Sequence, residues 1–116
     1  MYHSISDEDP SNNLLVPPAM FEEQMAWLEA NNFTAMNMDE ALEAMRTGKV
    51  PKRPVVITFD DGYANNYTSA FPSLKNHKLK ATFFVITDGV DNGYYMSSDN
   101  LKEMQEDRDV NWKSYC

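Results

Sequence analysis

Two adjacent carboxylates, Asp60 and Asp61, followed by Gly62, are the residues of this sequence best suited to chemistry. Paired aspartates can divide labour, one holding a cation while the other takes a proton. In an extended backbone neighbouring side chains point to opposite sides, which suits two different jobs. Gly62 permits a sharp turn or a ligand's close approach to the backbone. Asp-Asp-Gly is also an ordinary turn after a strand, and the residue types alone leave both readings open. The remaining candidates stand alone. His3, beside a short apolar segment, reads as structural or exposed rather than as a ligand. His77, among Lys75, Asn76 and Lys78, reads as surface. The single cysteine, Cys116, can form no intramolecular disulfide and leaves the redox compartment open. An aspartate-nucleophile phosphatase fails on spacing, because Gly62 occupies the position where a second acidic residue is needed.

The aspartates need a scaffold, and the flanking sequence describes one. Val55-Val56-Ile57-Thr58-Phe59 has the β-branched and aromatic character of a strand in a parallel sheet, covered on both faces. It ends at Asp60, and α/β proteins place their sites at the C-terminal ends of such strands. Lys80 to Ile86 reads as a second buried strand, adjacent and parallel to Val55–Phe59, with a loop from Thr87 to Tyr95 at its C-terminal end. Between them Tyr63, Tyr67 and Phe71 recur every four residues and predict a helix with one aromatic face, buried rather than a stacking platform. Pro72 then begins a new turn.

Upstream, Tyr2 to Ser6 is a candidate first strand and Asp7 to Asn13 a loop. Pro17-Pro18 precedes a helix over Ala19 to Ala30 whose apolar stripe is Phe21, Met25 and Leu28. Phe33 to Met36 is a short strand. Asn37 and Glu40 form a capping pair for a second helix with Met38, Leu42 and Met45 as its stripe and Gly48 as its stop. Downstream, Ser97 or Ser98 caps a third helix to about Asp107 with Leu101 and Met104 inward, and Asp109 to Ser114 begins another strand. This alternation predicts βαβ units, hence an α/β fold.

A chain of 116 residues makes one domain, residues 1–116, but falls short of the roughly 200 residues or more of a complete (β/α) barrel. With 42% hydrophobic and 24% charged residues it is globular, without a membrane span. Ten basic against eighteen acidic residues give a net charge of -8, which repels phosphate backbones and argues against nucleic acid, while a neutral sugar or peptide stays compatible. Met1-Tyr2-His3 runs into polar residues with no apolar leader, so the chain is cytoplasmic or its leader lies outside this sequence.

Thr58-Phe59-Asp60-Asp61-Gly62 followed by Ala81-Thr82-Phe83-Phe84-Val85 resembles the first half of the polysaccharide deacetylase family, the NodB-homology domain or carbohydrate esterase family 4. Tyr2-His3, the helix beginning Pro17-Pro18-Ala19-Met20-Phe21, the Asn37 to Leu42 helix start and Met96 to Met104 resemble the branch acting on poly-N-acetylglucosamine. The resemblance covers nearly the whole chain but only the amino-terminal part of the family domain. It implies a partial, distorted (β/α) barrel and hydrolysis of N- or O-acetyl groups on sugar polymers with a divalent metal, often zinc. It makes Asp60 the catalytic base that activates water and Asp61 a metal ligand, beside two histidines of a later His-Ser/Thr-x-x-His motif. It assigns no substrate-binding residue, and it leaves location open, family members usually being extracytoplasmic or at the cell surface.

The departures shape the expectation. The later histidine motif, the arginine and tryptophan motifs and the final Leu-x-x-His that supplies the general acid are absent. Ser114-Tyr115-Cys116 falls where the histidine motif would start, with Tyr115 in place of the first ligand, and His3 and His77 match neither ligand position. One carboxylate does not make a three-ligand zinc site. The chain is therefore expected to be a truncated, inactive polysaccharide deacetylase whose metal is not bound. The alternative is a non-catalytic carbohydrate-binding or interaction module of the same fold. Open strand edges predict a homo-oligomer or a missing carboxy-terminal half.

Overall fold

The computed structural model describes residues 1–107 and 109–115. Its elements run α1 (Pro18–Ala30), β1 (Thr34–Met36), α2 (Met38–Thr47), β2 (Pro54–Val56), β3 (Thr58–Asp61), a π-helical turn (Asn66–Ala70) leading into α3 (Phe71–Asn76), β4 (Ala81–Ile86), α4 (Ser98–Gln105) and β5 (Val110–Tyr115). Strands β3, β4 and β5 form a parallel sheet in sequence order, and β1 pairs in parallel with β2. This is the α/β arrangement expected from the alternation of elements, and the partial (β/α) barrel that the resemblance implies. No helix among the described residues is long and apolar enough to cross a membrane.

The strand expected over Val55–Phe59 is divided. Val55 and Val56 pair with Ala35 and Met36, whereas Thr58 to Asp61 pair with Thr82 to Val85. Ile57 is the joint: its side chain is buried and its carbonyl accepts from the Thr82 N–H at 3.0 Å. One stretch thus changes neighbours halfway along, as a strand must when the sheet curls. Its faces are not both covered: Ile57 and Phe59 are buried, while their neighbours are partly exposed. The remaining edge of β3 is taken by the N-terminal segment. The Tyr2 N–H donates to the Thr58 carbonyl at 2.7 Å and the Asp60 N–H donates to that of Tyr2 at 2.8 Å, so the candidate first strand is reduced to isolated bridges, Tyr2 with Phe59 and Ser4 with Leu15.

Aromatic rings build the core around that junction. Phe59 stacks on Phe83 with centroids 4.4 Å apart, and Tyr2 and Phe21 pack against Phe59 at 5.3 and 5.7 Å. Phe21 and Met25 bury the α1 stripe, with Leu28 at its margin. On α4, Leu101 and Met104 face inward as predicted, and Ser97 with Asn100 closes a capping box.

Helix α2 turns a different face to the protein than its larger apolar residues suggest. Asn37 and Glu40 form the capping box and Gly48 ends the helix with φ +76°. The buried residues, however, are Ala41 and Ala44, while Leu42 is 56% and Met45 77% exposed. Polar anchors set this rotation: the Met38 N–H donates to Thr82 Oγ1 at 2.7 Å and Lys80 Nζ reaches Glu40 Oε2 at 2.7 Å. Alanines on the inner face then let the helix approach closely.

Candidate active site

Asp60 and Asp61 are the last two residues of β3, level with Phe84 and Val85 of β4. They lie at the C-terminal edge of the parallel sheet. Asp61 has φ +81° and Gly62 φ +78°, so two successive residues in the left-handed region end the strand and turn the chain. Aspartate tolerates this conformation better than most residues. A Cβ on Gly62 would lie 3.1 Å from Val85 Cγ1, so glycine also serves the close passage over β4. Backbone strain of this kind clusters at functional sites.

The structure adds a histidine that the sequence reading sets aside. His3 Nε2 lies 3.8 Å from Asp60 Oδ2, and the two side chains are 20% and 28% exposed. That separation is beyond a hydrogen bond but within ion-pair distance when the imidazole is protonated. His3 reaches Asp60 because the N-terminal segment runs beside β3. The sequence carries a signal for this only in the strand character of Tyr2 to Ser6, which no local pattern ties to residue 60.

Two asparagines hold the segment in place. Asn65 Oδ1 accepts from the Ile5 N–H at 2.9 Å, and Asn65 Nδ2 donates to Ser4 Oγ at 2.7 Å. Asn66, fully buried, donates through Nδ2 to the His3 carbonyl at 2.9 Å, while its Oδ1 meets no donor among the described residues. Both lie where the helix widens into its π turn, a feature often found at functional sites. The wide turn precedes Pro72, which has no N–H and whose ring would crowd the preceding turn of a regular α-helix. Pro72 therefore continues the helix into α3 instead of starting a separate turn. The aromatic face expected over Tyr63, Tyr67 and Phe71 is correspondingly split: Tyr67 stacks on Phe71 at 6.0 Å, but Tyr63 precedes the helix and stacks on Tyr95 at 5.3 Å.

His77 is not a free surface residue. Its Nε2 lies 2.5 Å from Glu22 and its Nδ1 2.8 Å from Glu29, with 11% of the side chain exposed. Hydrogen bonds to Glu29 and then Glu22 raise its pKa above the ordinary histidine value. This is a clamp between α1 and α3, away from the aspartates.

A divalent metal at Asp61 needs companions. Among the described residues no three His, Cys, Asp or Glu side chains gather as a metal site requires, so these residues alone do not fit a closed zinc shell. β5 nonetheless runs to the correct edge, since Ser114 is level with Val85 and hence with Asp61. The expected role of the Tyr115 side chain, and Cys116, lie outside the described residues.

Comparison with known proteins places this geometry. The sequence profile of the family described as polysaccharide deacetylase matches residues 47–115. YxkH of Bacillus subtilis (strain 168) is 39% identical over 107 residues, 91% of this chain and 37% of that protein. Poly-beta-1,6-N-acetyl-D-glucosamine N-deacetylase of Staphylococcus aureus (strain N315) is 36% identical over 96 residues, 81% of this chain and 33% of that protein. The chain thus spans about a third of the length of these relatives. In structure it is similar to the Streptococcus pyogenes deacetylase PplD in complex with acetate, with TM-score 0.90 and 28% identity over 99% of this chain and 54% of that one. It is also similar to BC0361, a polysaccharide deacetylase from Bacillus cereus, with TM-score 0.84 and 33% identity over 99% of this chain and 37% of that one.

Proposed function

Because the chain belongs to the polysaccharide deacetylase family, we propose that it carries the proton-handling part of a site that hydrolyses N-acetyl groups on N-acetylglucosamine polymers. The observation that carries the reading is the approach of His3 to Asp60 at the C-terminal edge of the sheet. Asp60 takes a proton from water as the water oxygen attacks the acetamide carbonyl, and His3 delivers a proton to the departing sugar amine. Amide hydrolysis needs both transfers, because an unprotonated amine is a poor leaving group. Acetate, held in the PplD structure, is the acid that removal of an acetyl group releases.

Asp61 is proposed as one ligand of a divalent metal, zinc by family resemblance, whose other ligands lie beyond the described residues. When bound, such an ion polarises the acetyl carbonyl and acidifies water. Turnover in this reading requires that completed shell, so the 116 residues alone are expected to be inactive. The test is a chimaera in which residues 1–115 replace the matching segment of the Staphylococcus aureus deacetylase, assayed for acetate release from β-1,6-linked N-acetylglucosamine oligomers. The chimaera should turn over, Asp60→Asn should cut kcat by about a hundredfold or more, and His3→Gln should lower kcat. Unchanged kcat in Asp60→Asn would overturn the assignment.

A further inference from the structure

Three tyrosines gather immediately beyond the aspartates. Tyr63 follows Gly62 and forms an antiparallel bridge with Tyr95 from the loop after β4. The two rings stack with centroids 5.3 Å apart at 19°. Tyr94 stands edge-on to both, 5.5 Å from Tyr63 at 76° and 5.3 Å from Tyr95 at 77°. Tyr94 is 67% exposed. A large aromatic side chain left in water forgoes the stabilisation that burial would give, and singly such exposure needs no explanation. Here the exposed ring caps a stack of two others beside catalytic candidates.

The backbone beneath the rings is fixed from several directions. The Met96 N–H donates to the Gly62 carbonyl at 2.9 Å and the Ala64 N–H to that of Tyr94 at 3.1 Å, tying the loop to the turn that carries the aspartates. Asn92 Oδ1 accepts from the N–H groups of Tyr94 and Tyr95 at 2.9 and 3.2 Å. Gly89 leaves the space that Tyr95 fills, since a Cβ there would lie 2.7 Å from Tyr95 Cδ2. Met96, fully buried, anchors the end of the loop in the core. The cluster adjoins the candidate active site, since only Gly62 separates Tyr63 from Asp61.

We propose that Tyr63, Tyr94 and Tyr95 form a pyranose-binding platform for the sugar next to the one whose acetamide meets Asp60. Tyrosine suits this ligand because the apolar C–H face of a pyranose packs on the ring while the phenol reaches hydroxyl groups. Preorganised rings lose little entropy on binding. The net charge of -8 selects a neutral chain over a phosphorylated or acidic one. The identity of the sugar as an N-acetylhexosamine rests on the proposed function; the platform itself rests on the rings.

The probe is the β-1,6-linked tetramer of N-acetylglucosamine, titrated into the 116-residue chain and followed by NMR. The Tyr63 and Tyr94 ring protons should shift. Tyr94→Ala, at an exposed position, should weaken binding about tenfold or more, as truncating an aromatic anchor does, whereas Tyr94→Trp should retain it. A backbone spectrum of each variant checks that the fold is kept. No binding by the parent chain, shifts confined to other residues, or equal affinity in Tyr94→Ala would overturn the platform. Acetate release is read separately in the chimaera. Failure there, with binding at the tyrosines intact, would remove the hydrolytic reading and leave the platform, while turnover with tetramer affinity untouched by Tyr94→Ala would do the reverse.

Discussion

At the scale of single residues, the pair Asp60-Asp61 gains its meaning from the backbone. Asp60 is still extended and bonded to Tyr2, whereas Asp61 already has φ +81°, so the two carboxylates leave the strand from different conformations. Separate roles predict separable defects. In the chimaera, Asp61→Asn should weaken zinc binding about tenfold or more, since loss of even a ligand-orienting group costs that much. Asp60→Asn should leave zinc affinity near that of the parent while abolishing turnover, and calorimetric titration beside acetate assays distinguishes the two. Asn66 makes a further residue-level prediction. Its buried amide holds the carbonyl of His3, and Asn66→Ala would strand that carbonyl and leave a small cavity. The expected loss is about 1–3 kcal/mol in urea unfolding, with a larger drop in kcat than in oligomer affinity because His3 is displaced.

At the scale of elements, the junction between α1 and α3 is held by a charge clamp whose strength depends on pH. His77 bonds Glu22 and Glu29 with its two ring nitrogens, and Glu22 also accepts from the Ser73 hydroxyl. A neutral imidazole donates through one nitrogen only, so both contacts are favourable only when the ring is protonated. The folded pKa of His77 is raised from 6.5 by Glu29 and Glu22. Its stabilisation is therefore complete below pH 6.5 and is lost as pH rises through the raised value. Hydrogen bonds from Ser73 and then His77 lower the Glu22 pKa, so that contribution is present above 4.5 and fades as pH falls through the lowered value. Thermal unfolding across this range should show the parent chain losing stability relative to His77→Gln as pH rises past neutrality. A constant difference between the two would rule out the clamp. Helix α2 carries the complementary lesson, since its exposed Leu42 and Met45 are apolar in type but not in position.

At the scale of the whole molecule, β5 has a partner strand on one side only among the described residues. Unpaired strand edges and exposed apolar side chains recruit other chains. Trp27 is 56%, Leu42 56%, Met45 77% and Val50 54% exposed. A groove lined by Tyr2, Met25, Trp27, Leu28, Val55 and Ile57 adds apolar surface. For residues 1–116 studied alone, light scattering should show mass rising with concentration, and Trp27→Lys with Met45→Lys should reduce it. A dilution-insensitive monomer with cooperative unfolding would contradict this expectation.

What the sequence determined is whatever depends on short range. The capping box at Asn37 and Glu40, the glycine stop at Gly48, the Phe21 and Met25 stripe, and the apolar strands that end at Asp61 and Ile86 are all set by neighbours within a few residues. The family signature lies in the same local patterns, so fold class and the two aspartates are legible in the order of residues itself. Tertiary structure decided the rest, because it depends on which segments meet. Nothing near His3 says that residues 2–5 will run beside β3, nor that Asn65 and Asn66 will hold them there. The break at Ile57 exists because Val55 and Thr58 find different partner strands. The rotation of α2 follows from Thr82 and Lys80, about forty residues away. Tyr63 leaves its expected helical face for Tyr95 because the loop after β4 is bonded to Gly62. In each case the deciding contact is long-range, and its free energy is absent from any local pattern of residue types.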